Sequence, residues 1–489
     1  MDIILLFVYV LSLLFIFLFS IGQLHLTWHY RRREKSSHFR DCEDENLPTV
    51  TVQLPVYNEK YVVERLIDCI AQLDYPDAKL EIQVLDDSTD ETSALIAERV
   101  IFWSGKGKDI RHIQRKHRTG FKAGALQYGL REAHGEFITI FDADFLPGPD
   151  FLRKSVAAFE PNIGVVQTRW GHINRDYSML TRLQAFGLDA HFTVEQGGRS
   201  HANSFINFNG TAGTWRKSCI LDAGGWSDDT LTEDLDLSYR AQLKGWKFRY
   251  LEECVAPAEL PVIMPAIKSQ QYRWNKGAAE TARKNLGKVL RADLPFTTKF
   301  HALFHLLNSA VFVSLLVAGI LSVPVLFVRQ AHPEWNMLFY AGTVFLLGFF
   351  SIGYFYWTSA RATAGPHPAK YFFRYFPAFL VVSMGLSLHN GIAVLEGLLG
   401  RKTPFLRTPK FNIRSAADSW KSNKYIGFSL NVRSVLEGLM ALYFIFGIVA
   451  GIYLNDPGVL IFHFMLATGF AFVFYQSVQS IQGPGQASS

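Results

Sequence analysis

Two aspartates one residue apart, Asp142 and Asp144, close an apolar run at 136–141. Carboxylates so placed converge near one point, the arrangement that holds a hard divalent cation while leaving most of its shell to water and ligand. Such a cation neutralises a diphosphate leaving group. The same pattern also occurs as a pair of turn-capping aspartates. Asp86 and Asp87 end an earlier run at 81–85. They could face the same crevice and accept hydrogen bonds from a base and ribose, although Ser88-Thr89-Asp90 before Glu91 also reads as a helix start.

Two further groups complete the candidate chemistry. Thr232-Glu233-Asp234 precedes a helical pattern at 235–242. Its plain reading is capping, and its chemical reading is a general base at Asp234. Glycosyl transfer with inversion needs a carboxylate to take the acceptor hydroxyl's proton. An ordinary aspartate pKa of about 4 is low for that task, so burial near the acceptor would help. Gln270, Arg273 and Trp274 are spaced to share one helical face. Arginine can hold a diphosphate oxygen in a forked pair, and an indole can stack on the apolar side of a sugar. The same residues would also suit a basic amphipathic membrane helix.

The elements that must position these groups alternate. The pattern predicts strands at 49–54 (stopped by Pro55), 81–85, 110–113 and 136–141, and helices at 64–73, 93–102 and 123–133. Strand-then-helix alternation argues for a mostly parallel sheet covered by helices, in which ligands bind outside the carboxyl ends of the strands. The acidic clusters fall there.

The hydrophilic stretch 48–274 lies between apolar runs of membrane length. Of 489 residues, 49% are apolar and 19% charged, with the apolar residues concentrated toward the two ends. One core rarely serves so long a chain. Residues 3–28 carry almost no charge and are followed by Arg31, Arg32 and Arg33. Charge after a long core marks an uncleaved anchor rather than a signal peptide. Four further spans are expected at 304–328, 335–357, 435–454 and 459–475. A fifth run, 379–399, contains Ser383, Ser387, His389, Asn390 and Glu396, and both its flanks are basic. Flanks on one side of the membrane require an even number of crossings, so this run is expected to be an amphipathic interfacial helix. That gives five transmembrane helices, an outside amino terminus and a cytosolic carboxyl terminus. The basic segment 278–293 is expected to lie along an anionic surface.

The net charge of +6 is modest, and no aromatic-basic interleaving suggests nucleic acid as a partner. Cys42, Cys69, Cys219 and Cys254 are widely spaced without a CxxC pair. That excludes a thiolate zinc site of usual spacing and a disulfide framework, and suits a reducing cytosol.

Taken in order, Asp87, Asp142-x-Asp144, Asp234 and Gln270-x-x-Arg273-Trp274 resemble the D, DxD, D, QxxRW signature of processive family-2 glycosyltransferases, the cellulose synthase superfamily. The phrases TVQLPVYNE, QVLDDSTD, FKAGAL, FDADF, HFTVEQ, FNGTAGTWR and QQYRW look most like the cellulose-synthase-like mannan and glucan synthases and their bacterial relatives. The resemblance covers about 48–410.

The resemblance implies an α/β architecture: a GT-A (Rossmann-like) cytosolic catalytic domain inserted in an α-helical transmembrane channel domain. The divisions expected are an amino-terminal transmembrane helix at 1–30, a linker at 31–47, the GT-A domain at 48–260 and interfacial helices with QxxRW at 261–300. Two transmembrane helices follow at 301–358, then the interfacial helix at 359–400, a gating loop at 401–432, two transmembrane helices at 433–478 and a disordered tail at 479–489.

By the same resemblance, Tyr57, Glu59 and Asp87 contact the nucleoside, and Lys122 lies near the nucleotide. Asp142 and Asp144 hold Mg²⁺ or Mn²⁺ with the diphosphate, Asp234 is the base, Gln270 and Arg273 serve the diphosphate, and Trp274 stacks on the acceptor sugar. FLRTPK resembles the FxVTxK gating loop, which gives Phe405, Thr408 and Lys410 roles in closing over the nucleotide. Arg407 stands where that pattern has valine. Asn209-Gly210-Thr211 stands beside the acceptor where cellulose synthases carry Cys-Gly-Ser, which weakens a cellulose product specifically.

The implied enzyme polymerises hexose from a nucleotide sugar, UDP-glucose ahead of GDP-mannose, into a β-linked glycan and moves it across the bilayer. Its expected setting is a bacterial inner membrane or equivalent. Transfer of one hexose to a lipid carrier, or a non-catalytic polysaccharide-binding subunit, are the competing readings.

Overall fold

The computed structural model describes residues 1–33, 43–403, 408–414, 418–420, 423, 425 and 431–480. Seven strands form one sheet: β1 (Val50–Val56), β2 (Leu80–Asp86), β3 (Asp109–Gln114), β4 (Phe137–Ile140), β5 (Ile163–His172), β6 (Gly213–Arg216) and β7 (Lys247–Ala258). Their order is β3-β2-β1-β4-β6-β5-β7. Only β6 is reversed: it runs antiparallel to β4 and β5, and the other pairings are parallel.

The register decides where chemistry can happen. Val56 pairs with Asp86, and Gln53 with Ile140. Tyr57, Asp87 and Asp142 therefore leave adjacent strands at one edge. Because β6 is reversed, Gly213 pairs with Ile140, and the residues just before it, 209–211, enter from that same edge. β1 continues through Pro55, which was expected to stop it. Beyond Gln53 it pairs only with β2, so a residue without an N–H is tolerated on the side that has lost its partner.

Long helices link this unit to the apolar helices. Met264–Arg291 is one 28-residue helix that carries the QxxRW residues in its first half. Its second half, expected on a membrane surface, instead packs Ala278, Ala282 and Val289 against Leu235, Tyr239, Ala302 and Leu306. Asn285 there donates to Asp236 Oδ1 at 2.8 Å. The basic residues that suggested an anionic surface are partly used inside the protein, as when Lys284 pairs with Asp229 and Asp236 at 2.8 and 3.0 Å.

Among the described residues five helices are long and apolar enough to cross a membrane, or six if the bent pair below is one span: Asp2–Arg32, Ala310–Ala331, Pro333–Thr363, Val432–Tyr453 and Pro457–Gln479. The polar run read as one interfacial helix is two, Pro368–Gly385 and Ser387–Leu398, bent by 52°. Its polar residues face protein. His389 Nε2 lies 2.9 Å from the Lys268 carbonyl, Asn390 donates to Gln271 Oε1 at 2.7 Å, and Glu396 accepts from the Tyr272 hydroxyl. Lys268, on the same QxxRW helix, donates to Glu437 at 2.6 Å and Ser477 at 2.8 Å on the last two apolar helices. Both sides of residues 404–430 return to this helix as well: Lys276 donates to Thr403 at 2.6 Å, and the Arg433 guanidinium lies over the Tyr272 ring at 5.3 Å.

The tightest helix contact is between Gly385 and Gly469. A Cβ on Gly385 would meet the Gly469 carbonyl oxygen at 2.2 Å, whereas a Cβ on Gly353 would meet nothing nearer than Phe376 at 3.8 Å. Gly385→Val is expected to cost about 1–3 kcal/mol or more, as overpacking does, and Gly353→Ala to be neutral. Thermal unfolding of both variants in detergent checks this, and equal unfolding temperatures would refute the close seam.

Candidate active site

The acidic turn after β4 is neutralised from two directions. Lys122, near the start of the helix Phe121–Glu132, donates to Asp142 Oδ1 at 2.6 Å and to the Gly210 carbonyl at 2.9 Å. Lys410 donates to Asp144 Oδ2 at 2.7 Å. Asp144 is 2% exposed, and its Oδ1 is buried without a hydrogen-bond partner among the described residues. An unsatisfied buried carboxylate oxygen beside a second carboxylate is a site that fits a hard divalent cation. Among the described residues no group of three or more His, Cys, Asp or Glu has metal-holding geometry, so Asp142 and Asp144 are the carboxylates that would hold such a cation here.

Across the cleft stands the helix Glu233–Leu243. Glu233 and Asp234 begin it, the first buried and the second half-buried. Glu233 Oε1 lies 4.0 Å from Lys122 Nζ. Burial, then the Glu233 charge, pushes the Asp234 carboxyl up to about 7, with Lys122 pulling the other way. Burial raises Glu233 as well. Lys122 is raised: burial opposes its charge, but Asp142 and Glu233 outweigh that. Arg273 is lowered by burial, against the charges of Asp142, Glu233, Asp234 and Asp144. One guanidinium thus answers all four carboxylates.

Arg273 also fixes the segment after residue 407: its Nη2 donates to Thr408 Oγ1 at 3.0 Å. Glu259, 4% exposed, holds the next residues by accepting the N–H groups of Phe411 and Asn412 at 2.8 and 3.0 Å. Arg65 pairs with Glu259 at 3.2 Å and donates to Asn412 Oδ1 at 2.6 Å. Lys410 is delivered to Asp144 by this clamp. Burial disfavours its charge, but Asp144 and Glu59 more than compensate and raise its pKa.

Lys122, Asp142, Asp144, Gly210, Thr211, Asp234, Arg273, Thr408 and Lys410 come together in this way, Thr211 by accepting the Asp142 N–H at 2.9 Å. Asp87 lies to one side, its Oδ1 accepting from Arg115 Nε at 2.9 Å. Tyr57 lies under the Arg118 guanidinium, 3.4 Å from its ring centre. Asn209 meets His191 Nε2 at 3.2 Å. Gln270 sits one turn before Arg273 and, among the described residues, makes no hydrogen bond to the cluster. Phe405 lies outside the described residues.

Sequence reasoning missed Arg115 and Arg118, which stand in a basic run that reads as solvated charge. It also missed Glu259, for which no local pattern gives a signal. Asp86 proves structural, accepting from His112, Ser93 and the Ser88 N–H. Burial alone would raise its carboxyl, and those bonds instead hold it well below the usual range.

The sheet order, the reversed β6 and the acidic turn at the carboxyl edge define a glycosyltransferase of the GT-A type. Residues 48–277 match the family described as Glycosyltransferase like family 2. Glucomannan 4-beta-mannosyltransferase 2 of Arabidopsis thaliana is 37% identical over 369 residues, 70% of this chain and 68% of that protein. Glucomannan 4-beta-mannosyltransferase 1 of Oryza sativa subsp. japonica is 36% identical over 385 residues, 74% and 69% of the two. The solved mannosyltransferase PcManGT from Pyrobaculum calidifontis, in complex with GDP-Man and Mn²⁺, superposes with a TM-score of 0.55 at 21% identity, over 81% of this chain and 100% of that one, and so shares the fold. The chain belongs to the family-2 glycosyltransferases, in their cellulose-synthase-like branch. Its described residues include helices long and apolar enough to cross a membrane.

Gly210 has φ +79°, and a Cβ there would meet Asp234 Oδ2 at 3.0 Å. Gly210→Ala is therefore expected to lower transferase activity at least tenfold while the protein stays folded. Rates measured beside a thermal unfolding curve check this.

Proposed function

We propose that the chain transfers mannosyl units from GDP-mannose, rather than the UDP-glucose that its motifs placed first, to the growing end of a β-1,4-linked glycan. The observation that carries this reading is the likeness to glucomannan 4-beta-mannosyltransferases over more than two thirds of their length, joined to a half-buried carboxylate of raised pKa facing the cationic cleft. GDP-mannose is α-linked, so a β-product requires inversion in a single displacement, and one base suffices.

Asp234 is that base. With its carboxyl near neutrality it is part-ionised at working pH and strong enough to receive the proton of the acceptor hydroxyl as that oxygen bonds to the anomeric carbon. The bond from that carbon to the diphosphate breaks, and the charge gathers on GDP. Arg273, Lys122 and Lys410 are already in place to take it, which removes most of the reorganisation. Thr408 and Lys410 draw the segment near 408–414 over the leaving group, with Glu59, Tyr57 and Asp87 on the nucleoside side. Asp142 and Asp144 would hold Mg²⁺ or Mn²⁺, whose chemistry is to neutralise diphosphate oxygens. Trp274, with Asn209, Gly210 and Thr211, receives the acceptor. The catalytic unit faces the cytosol, and the product passes outward along the apolar helices.

Membranes containing the chain, given labelled GDP-mannose or UDP-glucose, test the donor. A large labelled product from GDP-mannose, cut by a β-1,4-mannanase, is expected. Incorporation from UDP-glucose alone, or a single hexose extractable into organic solvent, overturns the reading. Activity should rise with pH through about 7, because the base works deprotonated. Asp234→Asn should remove that rise and cost roughly 10²–10⁴-fold in rate. Excess chelator should abolish activity and added Mn²⁺ or Mg²⁺ restore it; full activity in chelator would refute an essential metal at Asp142 and Asp144.

A further inference from the structure

Trp170 on β5 belongs to no motif used so far, yet it stands between the two halves of the site. Its ring packs edge-on against Phe145, the residue that follows Asp144, with centres 5.2 Å apart. On the other side Trp274 lies 6.5 Å away at an interplanar angle of 55°. The strand carrying Trp170 also supports the 209–211 turn: Gln167 accepts the Asn209 N–H at 2.9 Å and donates to the Thr211 and Ala212 carbonyls at 3.3 and 3.0 Å. The metal-binding turn and the QxxRW helix meet at this one indole, and its strand supports the acceptor turn.

The ring is held as a platform. Phe192 stacks on it at 4.7 Å and 27°. Phe192 is 1% exposed and lies in the five-residue π-helical turn His191–Glu195, an irregularity that tends to mark functional positions. His191 is tied to Glu195 at 2.8 Å, Glu195 to Arg199 at 2.9 Å, and the Phe192 carbonyl accepts the Tyr250 hydroxyl. Trp170 itself is only half-buried.

Its Nε1 is buried without a hydrogen-bond partner among the described residues. A buried unsatisfied donor is destabilising, and phenylalanine would pack there without that penalty. An indole kept at such a position points to a use for its larger face.

Parallel rings that sandwich a sugar need about two stacking distances, each ~3.5–4.0 Å. The Trp170 and Trp274 centres are too close for that, and their tilt makes a splayed corner instead. A pyranose lying on one face meets the other indole with its edge or with the next sugar.

Resting on the glycan-synthase reading above, we propose that Trp170 is a second acceptor-binding residue, stacking on the sugar next to the one held by Trp274 and so setting which face of the chain end is turned toward Asp234. The ligand is a β-linked hexose oligomer, recognised through its C–H faces.

The test uses full-length protein in nanodiscs, with a β-1,4-mannohexaose acceptor. The donor is decided first on the wild-type protein, by whether GDP-mannose or UDP-glucose is turned over, with cellohexaose replacing mannohexaose in the second case. That step judges the donor reading alone; the variants, assayed on whichever donor works, judge Trp170. Trp170→Ala is expected to raise the acceptor KM at least tenfold, with donor KM and acceptor-free donor hydrolysis within twofold of wild type. Trp170→Phe should unfold at or above the wild-type temperature and still raise the acceptor KM severalfold. An unchanged acceptor KM in both variants overturns the proposal. Equal losses in donor and acceptor KM also overturn it, since they mark Trp170 as a packing residue.

Discussion

Everything at the carboxyl edge of the sheet depends on setting four carboxylates, Asp142, Asp144, Glu233 and Asp234, against three cations. At Glu233 and Asp234 desolvation raises the carboxyl, and the Glu233 charge adds to that at Asp234. Lys122, Arg273 and Lys410 supply the compensation, and they come from three separated parts of the chain. Asp234 shares its helix start with Glu233 and, among the described residues, has no hydrogen-bonded cation of its own. The carboxylate read as base is thus one that its surroundings raise to about 7.

The fold serves that balance by bringing distant segments to one line. Parallel β1, β2 and β4 deliver their carboxyl ends together, and the reversed β6 lets the 209–211 turn enter from the same side. The QxxRW helix then joins this edge to the apolar helices through Lys268 and Glu437, through Asn390 and Gln271, and through both flanks of the segment over the cleft. Arg273 and Trp274 lie between Tyr272 and Lys276, the two points at which Arg433 and Thr403 reach that helix.

Much of this was legible in the chain itself. Aspartates ending apolar runs marked strand ends, since a carboxylate rarely follows β-branched residues inside a buried strand. Three- and four-residue spacing placed Arg273 and Trp274 on one helix. Other features depend on tertiary partners and leave no local trace. Asp86 and Asp87 look alike in sequence, and partners remote from them, His112 and Ser93 for the first and Arg115 for the second, give them different surroundings. Pro55 breaks a strand by rule but not where the neighbouring strand has already ended. The mixed polarity of 379–399 could not say whether water, headgroups or protein would satisfy Asn390 and Glu396. Trp170 was invisible because its meaning lies in Phe145, Phe192 and Trp274, all remote from it along the chain.

The seam at Gly385 and Gly469 bears on the route proposed for the product. Two backbones in direct touch leave no lumen between those helices, not even for a single methyl group. On the proposed reading a glycan leaving the site threads elsewhere among the apolar helices, and this contact is closed to it.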